Sequence, residues 1–591
     1  MTGRTPLVSR TVTVVLLLAS AVGAQQFVQE TSTRFPIPNP AEWTNQLTID
    51  DLDNDGDLDI VFANGGDFGS PGTPQLVRIF INNAFGFFTD ESVSRTGGLT
   101  GLHRGVELGD VENDGDLDII LAQDFNRLPN LLINNGAGFF SIEGATRLPP
   151  LASSSSRAQF GDIDNDGDLD IYIDNGGTTN RFGCGQNRIY VNNGSGFFTD
   201  ETSTRHPLGV VCEPMDMNFA DIDNDFDLDV RTASTANNAS KLYRNNGAGV
   251  FTAVAGVPAD EGTYAYDFGD IDNDGDLDMF GANGGPGVVD ILLINNGLGA
   301  YTNGSSQLLS NPNIDDNDSK FFDYDNDGDL DLIIAALGGT TDRILNNNGT
   351  GTFSLTAGVI TAQTDSSLDI EVADLTGDGK LDIVTGQGES GNFQNRIYIN
   401  NGPADSQPPI IIATEQQPDT FDTAGPYVIR ALVLDDMTSD RNFFTGGIFL
   451  NYTVNAGAPQ QVAMRHSGGQ VNRGELPGQL FSSTVEYWIT AKDFNNNEGT
   501  GPTRSFLVQV DCTGVHNCSG NGVCVGTDLC ACNPGWSGSD CGTATPVPSV
   551  SSWGMMGMGL MMLTAGRMTL RKGRCVRVRG GARREVLGHI A

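Results

Sequence analysis

The sequence predicts an all-β chain: a seven-bladed β-propeller, then a β-sandwich, then a small disulfide-rich module. Three observations carry this. An acidic nonapeptide recurs seven times with start-to-start spacings of 59, 52, 59, 49, 53 and 51 residues, a period that marks propeller blades or solenoids. Between the copies run short apolar stretches punctuated by Asn-Gly and Asp-Gly, the turn chemistry of hairpins. Six cysteines crowd into Cys512–Cys541.

Length and charge set the frame. At about 100–200 residues per domain, 591 residues call for several domains, and 76 glycines argue against long helices. The net charge of −41 repels phosphate backbones and anionic lipid, whose protein partners rely on Lys and Arg. Nucleic acid is excluded as a partner. The charge is uneven: Arg567–Ala591 carries eight Lys/Arg against one Glu. So much negative charge elsewhere destabilises a compact state unless a cation neutralises it.

Residues 1–24 read as a cleavable secretory signal. Arg4 and Arg10 precede an apolar run from Val14 to Val22, and Val22-Gly23-Ala24 closes it in small residues. Export permits disulfides.

Residues 25–404 hold the repeats. Each offers four short strands, as in Ala158–Gly161, Ile171–Ile173, Arg188–Val191 and Phe197–Thr199, and four strands make one blade. A stacked solenoid is the rival architecture. The last repeat decides between them: after Asn395–Gly402 its fourth strand is missing, replaced by Pro403–Pro409. The mature N-terminus supplies a match, Phe27–Arg34 against Phe198–Arg205. A ring uses such a permutation to close, and a solenoid has no need of it.

The nonapeptide Asp-x-Asp-x-Asp-Gly-x-x-Asp spaces hard oxygen ligands for Ca²⁺, with Gly at position 6 for a positive φ and the position-7 carbonyl as a further ligand. The candidate ligands are Asp51, Asp53, Asp55, Asp57 and Asp59; Asp110, Glu112, Asp114, Asp116 and Asp118; Asp162, Asp164, Asp166, Asp168 and Asp170. They continue as Asp221, Asp223, Asp225, Asp227 and Asp229; Asp270, Asp272, Asp274, Asp276 and Asp278; Asp323, Asp325, Asp327, Asp329 and Asp331; and Asp374, Thr376, Asp378, Lys380 and Asp382. These loops hold 33 of the 74 acidic residues. Up to seven structural Ca²⁺ are expected. Three departures rank the loops: Glu112 lengthens position 3, Thr376 removes its charge, and Phe226 replaces the position-6 Gly. Phe226 must adopt a positive φ or distort its turn, so the fourth loop is expected to be the weakest or empty, and Phe226→Gly to stabilise it.

These loops, the Asn-Asn-Gly-x-Gly-x-Phe segments and the export signal resemble FG-GAP/VCBS repeat proteins, whose propeller is like that of integrin α-chain heads. The resemblance implies an extracellular Ca²⁺-bound propeller linked to adhesion or ligand binding, and names no ligand.

Pro408-Pro409 marks a linker, and residues 405–511 alternate apolar and polar in Tyr427–Leu434, Ile448–Val454 and Val485–Ala491. They read as an Ig- or fibronectin III-like sandwich acting as a spacer. Residues 512–542 hold Cys512, Cys518, Cys524, Cys530, Cys532 and Cys541. Such density in a small exported module means disulfides. Its end, Cys530–Cys541, resembles an EGF-like module, which implies the pairs Cys512–Cys524, Cys518–Cys530 and Cys532–Cys541 among fifteen arrangements. Cys184 and Cys212 are left to pair between neighbouring blades.

Residues 543–552 form a linker, 553–570 a Met-rich apolar segment and 571–591 a basic tail. Together they resemble an IPTL-CTERM sorting tail, with Ser552 where that pattern has an acidic residue. The segment implies surface retention with its basic end in the cytoplasm.

The chain has no His-Glu-x-x-His, Gly-x-Ser-x-Gly, Walker or dinucleotide motif. Its five histidines, His103, His206, His466, His516 and His589, are scattered. The leading reading is therefore a Ca²⁺-stabilised secreted or surface protein binding an extracellular protein or glycan. A polysaccharide lyase or glycosidase on the same propeller, and a structural envelope component, are the alternatives.

Overall fold

A computed structural model describes residues 25–545 except 68, 237–238, 286, 338, 389–390, 436–446, 510–517, 520 and 527–528. The export signal, the sorting tail, Cys512 and the side chain of Cys524 lie outside the described residues. The chain divides into two compact units.

The first unit begins with seven four-stranded antiparallel sheets. The first sheet shows the pattern: Thr44–Asp50, the acidic loop, Asp59–Asn64, Arg78–Ile81 and Thr89–Asp90. The loop follows directly from the first strand because Asp50 pairs with Asp59 across it. Second strands are buried on both faces and read as continuous apolar runs, such as Asp118–Gln123 and Asp331–Ala336.

Adjacent sheets stack face to face. Val61 and Ile79 of the first sheet share a cluster with Val106 and Leu121 of the second. The succession continues to Phe322 and Ile333 of the sixth, packed with Ile370 and Ile383 of the seventh. Leu47, Phe62 and Phe80 of the first then pack with Val384 and Ile397 of the seventh, so the series of interfaces closes on itself. Each fully buried Phe or Leu in these layers contributes roughly 1.5–3 kcal/mol.

The seventh sheet draws its fourth strand from the other end of the sequence. Phe27, Val28 and Gln29 pair with Asn400, Ile399 and Tyr398. Phe27 is fully buried, against Phe322.

The same unit contains two further antiparallel sheets. One runs in the order Ile410–Thr414, Tyr427–Leu434, Val471–Leu476, Arg465–Gly468. The other contains Gln460–Ala463, Ile448–Val454, Ser483–Lys492 and Glu498–Thr500. This segment does not stand off as a spacer. Leu432 and Val471 enter the apolar cluster between the third and fourth seven-sheet members, beside Phe219 and Leu228. Cys184 and Cys212 form a disulfide between the third sheet's loop and the strand leading into the fourth.

The second unit, by itself, contains Gly522–Gly526 paired with Leu529–Cys532 and Trp536–Ser537 paired with Thr543–Ala544. Cys518–Cys530 and Cys532–Cys541 are disulfides within it.

Candidate metal centres

Each acidic loop is shaped by its first aspartate. In the first loop Asp51 Oδ1 accepts from the Asp55 N–H at 3.1 Å and Oδ2 from the Gly56 N–H at 2.9 Å. Asp55 Oδ1 then accepts from the Asp57 N–H at 3.1 Å. The same contacts recur at Asp110, Asp270 and Asp323. The ninth residue is the hinge to the sheet: Asp59 Oδ1 accepts from the backbone N–H of Asn82 at 2.8 Å.

These turns bring carboxylates together. Asp51, Asp53 and Asp59 approach within 4.8 Å of one another through one oxygen each, as do Asp323, Asp325 and Asp331. In the third, fourth and fifth loops the trio is Asp162, Asp164 and Asp166, Asp221, Asp223 and Asp225, and Asp270, Asp272 and Asp274. Among the described residues the second and seventh loops, with Glu112 and Thr376 at position 3, show no such trio.

The third position carries the decisive feature. Asp53, Asp164, Asp223, Asp272 and Asp325 each bury an Oδ1 that has no hydrogen-bond partner. The other oxygen is held from outside the loop, Asp53 by Arg95 and Asp164 by Arg205, each at 2.8 Å. A buried carboxylate oxygen without a donor is costly. All-oxygen trios with orphaned buried atoms fit a hard divalent cation. Burial also raises the neighbouring carboxyls, pushing Asp59 and Asp278 up to about 8 and Asp331 up to about 9. A cation in the loop would restore their charged form.

Phe226 takes the left-handed conformation, at φ 69°. Its N–H donates to Asp221 Oδ2 at 2.7 Å, the bond the glycines make elsewhere. Of the two expected outcomes, a positive φ or a distorted turn, the positive φ is the one realised. Its ring is partly buried against the cluster of Leu432 and Val471, and faces the Arg430 guanidinium at 5.7 Å.

The position-7 aspartates stand apart from the trios. Asp116, Asp168, Asp276 and Asp329 accept from the side-chain amides of Asn54, Asn113, Asn224 and Asn273 at 2.8–3.1 Å. Each bond ties one loop to the next. Lys380, in that place in the seventh loop, pairs with Asp378 at 2.9 Å.

Two devices escape a reading of the sequence. The position-4 asparagines hold φ near 60°, and Asn tolerates that region better than most residues. The first Asn of each Asn-Asn-Gly segment is the second. Asn134 Nδ2 donates to Leu117 O of its own loop at 3.0 Å and to Leu52 O of the preceding loop at 2.9 Å. In the seventh sheet Asn400 Nδ2 donates to Leu381 O at 3.0 Å, and Gln26 Nε2 supplies the link to Tyr324 O at 2.6 Å. The repetition of Asn-Asn-Gly is the signal that points to this second device.

The segment that carries the two further sheets rests on this loop face. Arg430 Nη1 donates to Asp227 Oδ1 at 2.7 Å and to Phe226 O at 2.9 Å. Arg473 Nη1 donates to Asn165 O at 2.6 Å and lies 3.4 Å from Asp162 Oδ2. Asn495 Nδ2 donates to Gly379 O at 3.0 Å.

Comparison with known proteins agrees with the repeat geometry. The model of the FG-GAP-like repeat matches residues 51–121, 110–173, 232–281, 270–334 and 323–385. The chain thus contains FG-GAP-like repeats, five of them by this match. No curated protein matches it. Among solved structures, the crystal structure of the V. cholerae biofilm matrix protein Bap1 aligns at 12% identity and TM-score 0.35, covering 64% of this chain and 92% of that one. A likeness at that level says nothing of what this chain does.

Among the described residues no helix is long and apolar enough to cross a membrane.

Proposed function

We propose that this is an exported, calcium-stabilised seven-bladed β-propeller protein that binds an extracellular protein or glycan. The observation that carries the reading is the set of five carboxylate trios whose third-position oxygens are buried without donors. Asp at positions 1, 3 and 5 or 9 would hold Ca²⁺, which binds carboxylate and carbonyl oxygens in flexible geometry. The ion would offset the repulsion within each loop and fix the face on which Arg430 and Arg473 seat the sandwich. Divalent binding to the folded state alone stabilises it by mass action.

The Ig- or fibronectin III-like character of 405–511 and the EGF-like character of 512–542 belong to the same reading, as do the export signal and the surface-retaining tail. Display outside the cell accords with the disulfides at Cys184–Cys212, Cys518–Cys530 and Cys532–Cys541.

The test is attachment of the mature chain to arrayed glycans and matrix proteins, with Ca²⁺ and with chelator. Selective binding that chelation abolishes, without chemical change in the bound material, supports the proposal. Shortened or unsaturated glycan products would replace it with an enzyme.

A further inference from the structure

The acidic loops close the far ends of the seven first strands, and the near ends meet around a different site. Six of these strands, Thr44–Asp50, His103–Gly109, Pro214–Ala220, Thr263–Gly269, Asp316–Phe322 and Ser367–Ala373, slip register across their second residue. Those second residues are Asn45, Arg104, Met215, Tyr264, Asn317 and Leu368, and all six line one cavity. A bulge re-aims the side chain it carries, and bulges concentrate beside functional sites. Six at one register, converging on one space, are a built feature of the ring.

The chemistry of the lining is opposite to that of the chain. In a protein of net charge −41, this cavity presents Arg104, Arg157 and Arg181 and, among the described residues, no carboxylate. The carboxylates stand behind the guanidiniums and orient them. Asp216 Oδ1 accepts from Arg157 Nε at 2.6 Å and Asp369 Oδ1 from Arg157 Nη2 at 3.1 Å. Asp124 lies 3.6 Å from Arg104 Nε and 3.4 Å from Arg181 Nη1. Asp124 thus serves two buried cations, with Asp67 and Asp174 acting from further off, and burial together with Arg181 still holds the Arg104 guanidinium well below its ordinary pKa. A further anion would relieve both.

We propose that this axial cavity binds the carboxylate of an acidic sugar residue, a uronate within a glycan. The volume is about 60 Å³. At roughly 10–15 Å³ per water position, that admits a carboxylate and its nearest atoms and leaves the sugar ring at the mouth. Guanidinium forks match carboxylate geometry. Trp43 and Tyr264 add flat apolar faces suited to the C–H face of a pyranose, and the side-chain amide of Asn317 suits a sugar hydroxyl. An acidic peptide would use the arginines but has no need of that combination.

This inference rests on the proposed ligand-binding function and deepens it. The experiment is calorimetric titration of the full mature chain, in Ca²⁺, with oligogalacturonate, neutral oligogalactose and acetate. Oligogalacturonate alone should bind. Met215→Glu places a carboxylate at a half-buried lining position, where it competes for the arginines, and should weaken that binding at least tenfold at a melting temperature no lower than that of wild type. Should Met215→Glu not fold, Tyr264→Leu serves instead, and is expected to weaken oligogalacturonate binding more than threefold. Equal binding of neutral and acidic oligomers, equal competition by acetate, indifference to the folded variant, or no uronate binding overturns the inference. Attachment through any other ligand in the Ca²⁺ array leaves the broader function standing.

Discussion

Asn273 Nδ2 donates to Asp329 Oδ1 at 2.9 Å, so the fifth acidic loop is latched to the sixth through a residue that a metal-ligand pattern treats as spacer. Asn273 also holds φ at 61°. Its two roles separate by substitution. Asn273→Gly loses the latch but tolerates the conformation, whereas Asn273→Ala loses the latch and adds about 1 kcal/mol of left-handed strain. Thermal melts should therefore rank wild type above Gly and Gly above Ala. Equal melting temperatures for all three would remove both roles.

The buried asparagine bridges carry more. Asn347 is 1% exposed and donates to Ile271 O at 2.8 Å and Leu330 O at 3.0 Å. Asn347→Ala leaves two carbonyls without donors where water does not reach, at about 1–3 kcal/mol for an unsatisfied buried group. A loss of about 2–4 kcal/mol in chemical denaturation is expected. A loss under about 0.5 kcal/mol, the low end for a single hydrogen bond, would mean that the two loops are joined by other means.

Much of this architecture is legible in the sequence because it depends on local repetition. The seven Asp loops, the hairpin turns and the Phe27–Arg34 segment each match another stretch of the same chain. What stays hidden depends on neighbours far along the chain. Nothing in Asn54-Asp55-Gly56 shows that Asn54 faces Asp116, and no local pattern places Arg430 against Phe226. Position 7 reads as part of a ligand set, yet its side chain accepts from the asparagine of the preceding loop. The bulged residues lining the axial cavity are equally silent, since Asn45, Arg104, Met215 and Tyr264 share no chemistry.

Strand closure makes a direct prediction. Deleting residues 25–35 removes Phe27, fully buried, and strips the pairing from Tyr398–Asn400. It also removes Gln26, the donor to Tyr324 O. The exposed edge should lower the melting temperature or drive association. A melt identical to that of the full chain would show the pairing to be dispensable.

His103 supplies a pH dependence away from the acidic loops. Burial pushes it down to about 3, against an ordinary value of 6.5. Between those values the unfolded chain binds a proton that the folded chain refuses, so this residue's contribution to stability falls as pH drops from about 6.5 towards 3. At pH 5 the penalty is about 2 kcal/mol. His103→Gln should therefore lose less stability than wild type between about pH 7 and pH 5. Parallel losses in the two proteins would place the titration elsewhere.

Metal binding is the prediction in which the structure changes the ranking of loops. Sequence alone demotes the second, fourth and seventh loops. The fourth nevertheless keeps its trio, because Phe226 accepts φ 69° and still donates to Asp221. Its strain, about 1–2 kcal/mol, is countered by the partly buried ring, worth about 1–2 kcal/mol, and by the Arg430 contact, worth about 0.5 kcal/mol. Phe226→Gly removes strain and packing together, so it should leave the melting temperature in Ca²⁺ within a few degrees of wild type. A clear rise would show that the strain outweighs the packing. Glu112 and Thr376 have no such compensation: their loops lack a trio among the described residues. Titrating the chelated chain should then resolve five stronger sites and up to two weaker ones. Asp272→Asn, at a buried unpartnered oxygen, should remove one of the five. Seven equivalent sites would refute the ranking, and the absence of any Ca²⁺-dependent stabilisation would overturn the assignment of these loops to metal.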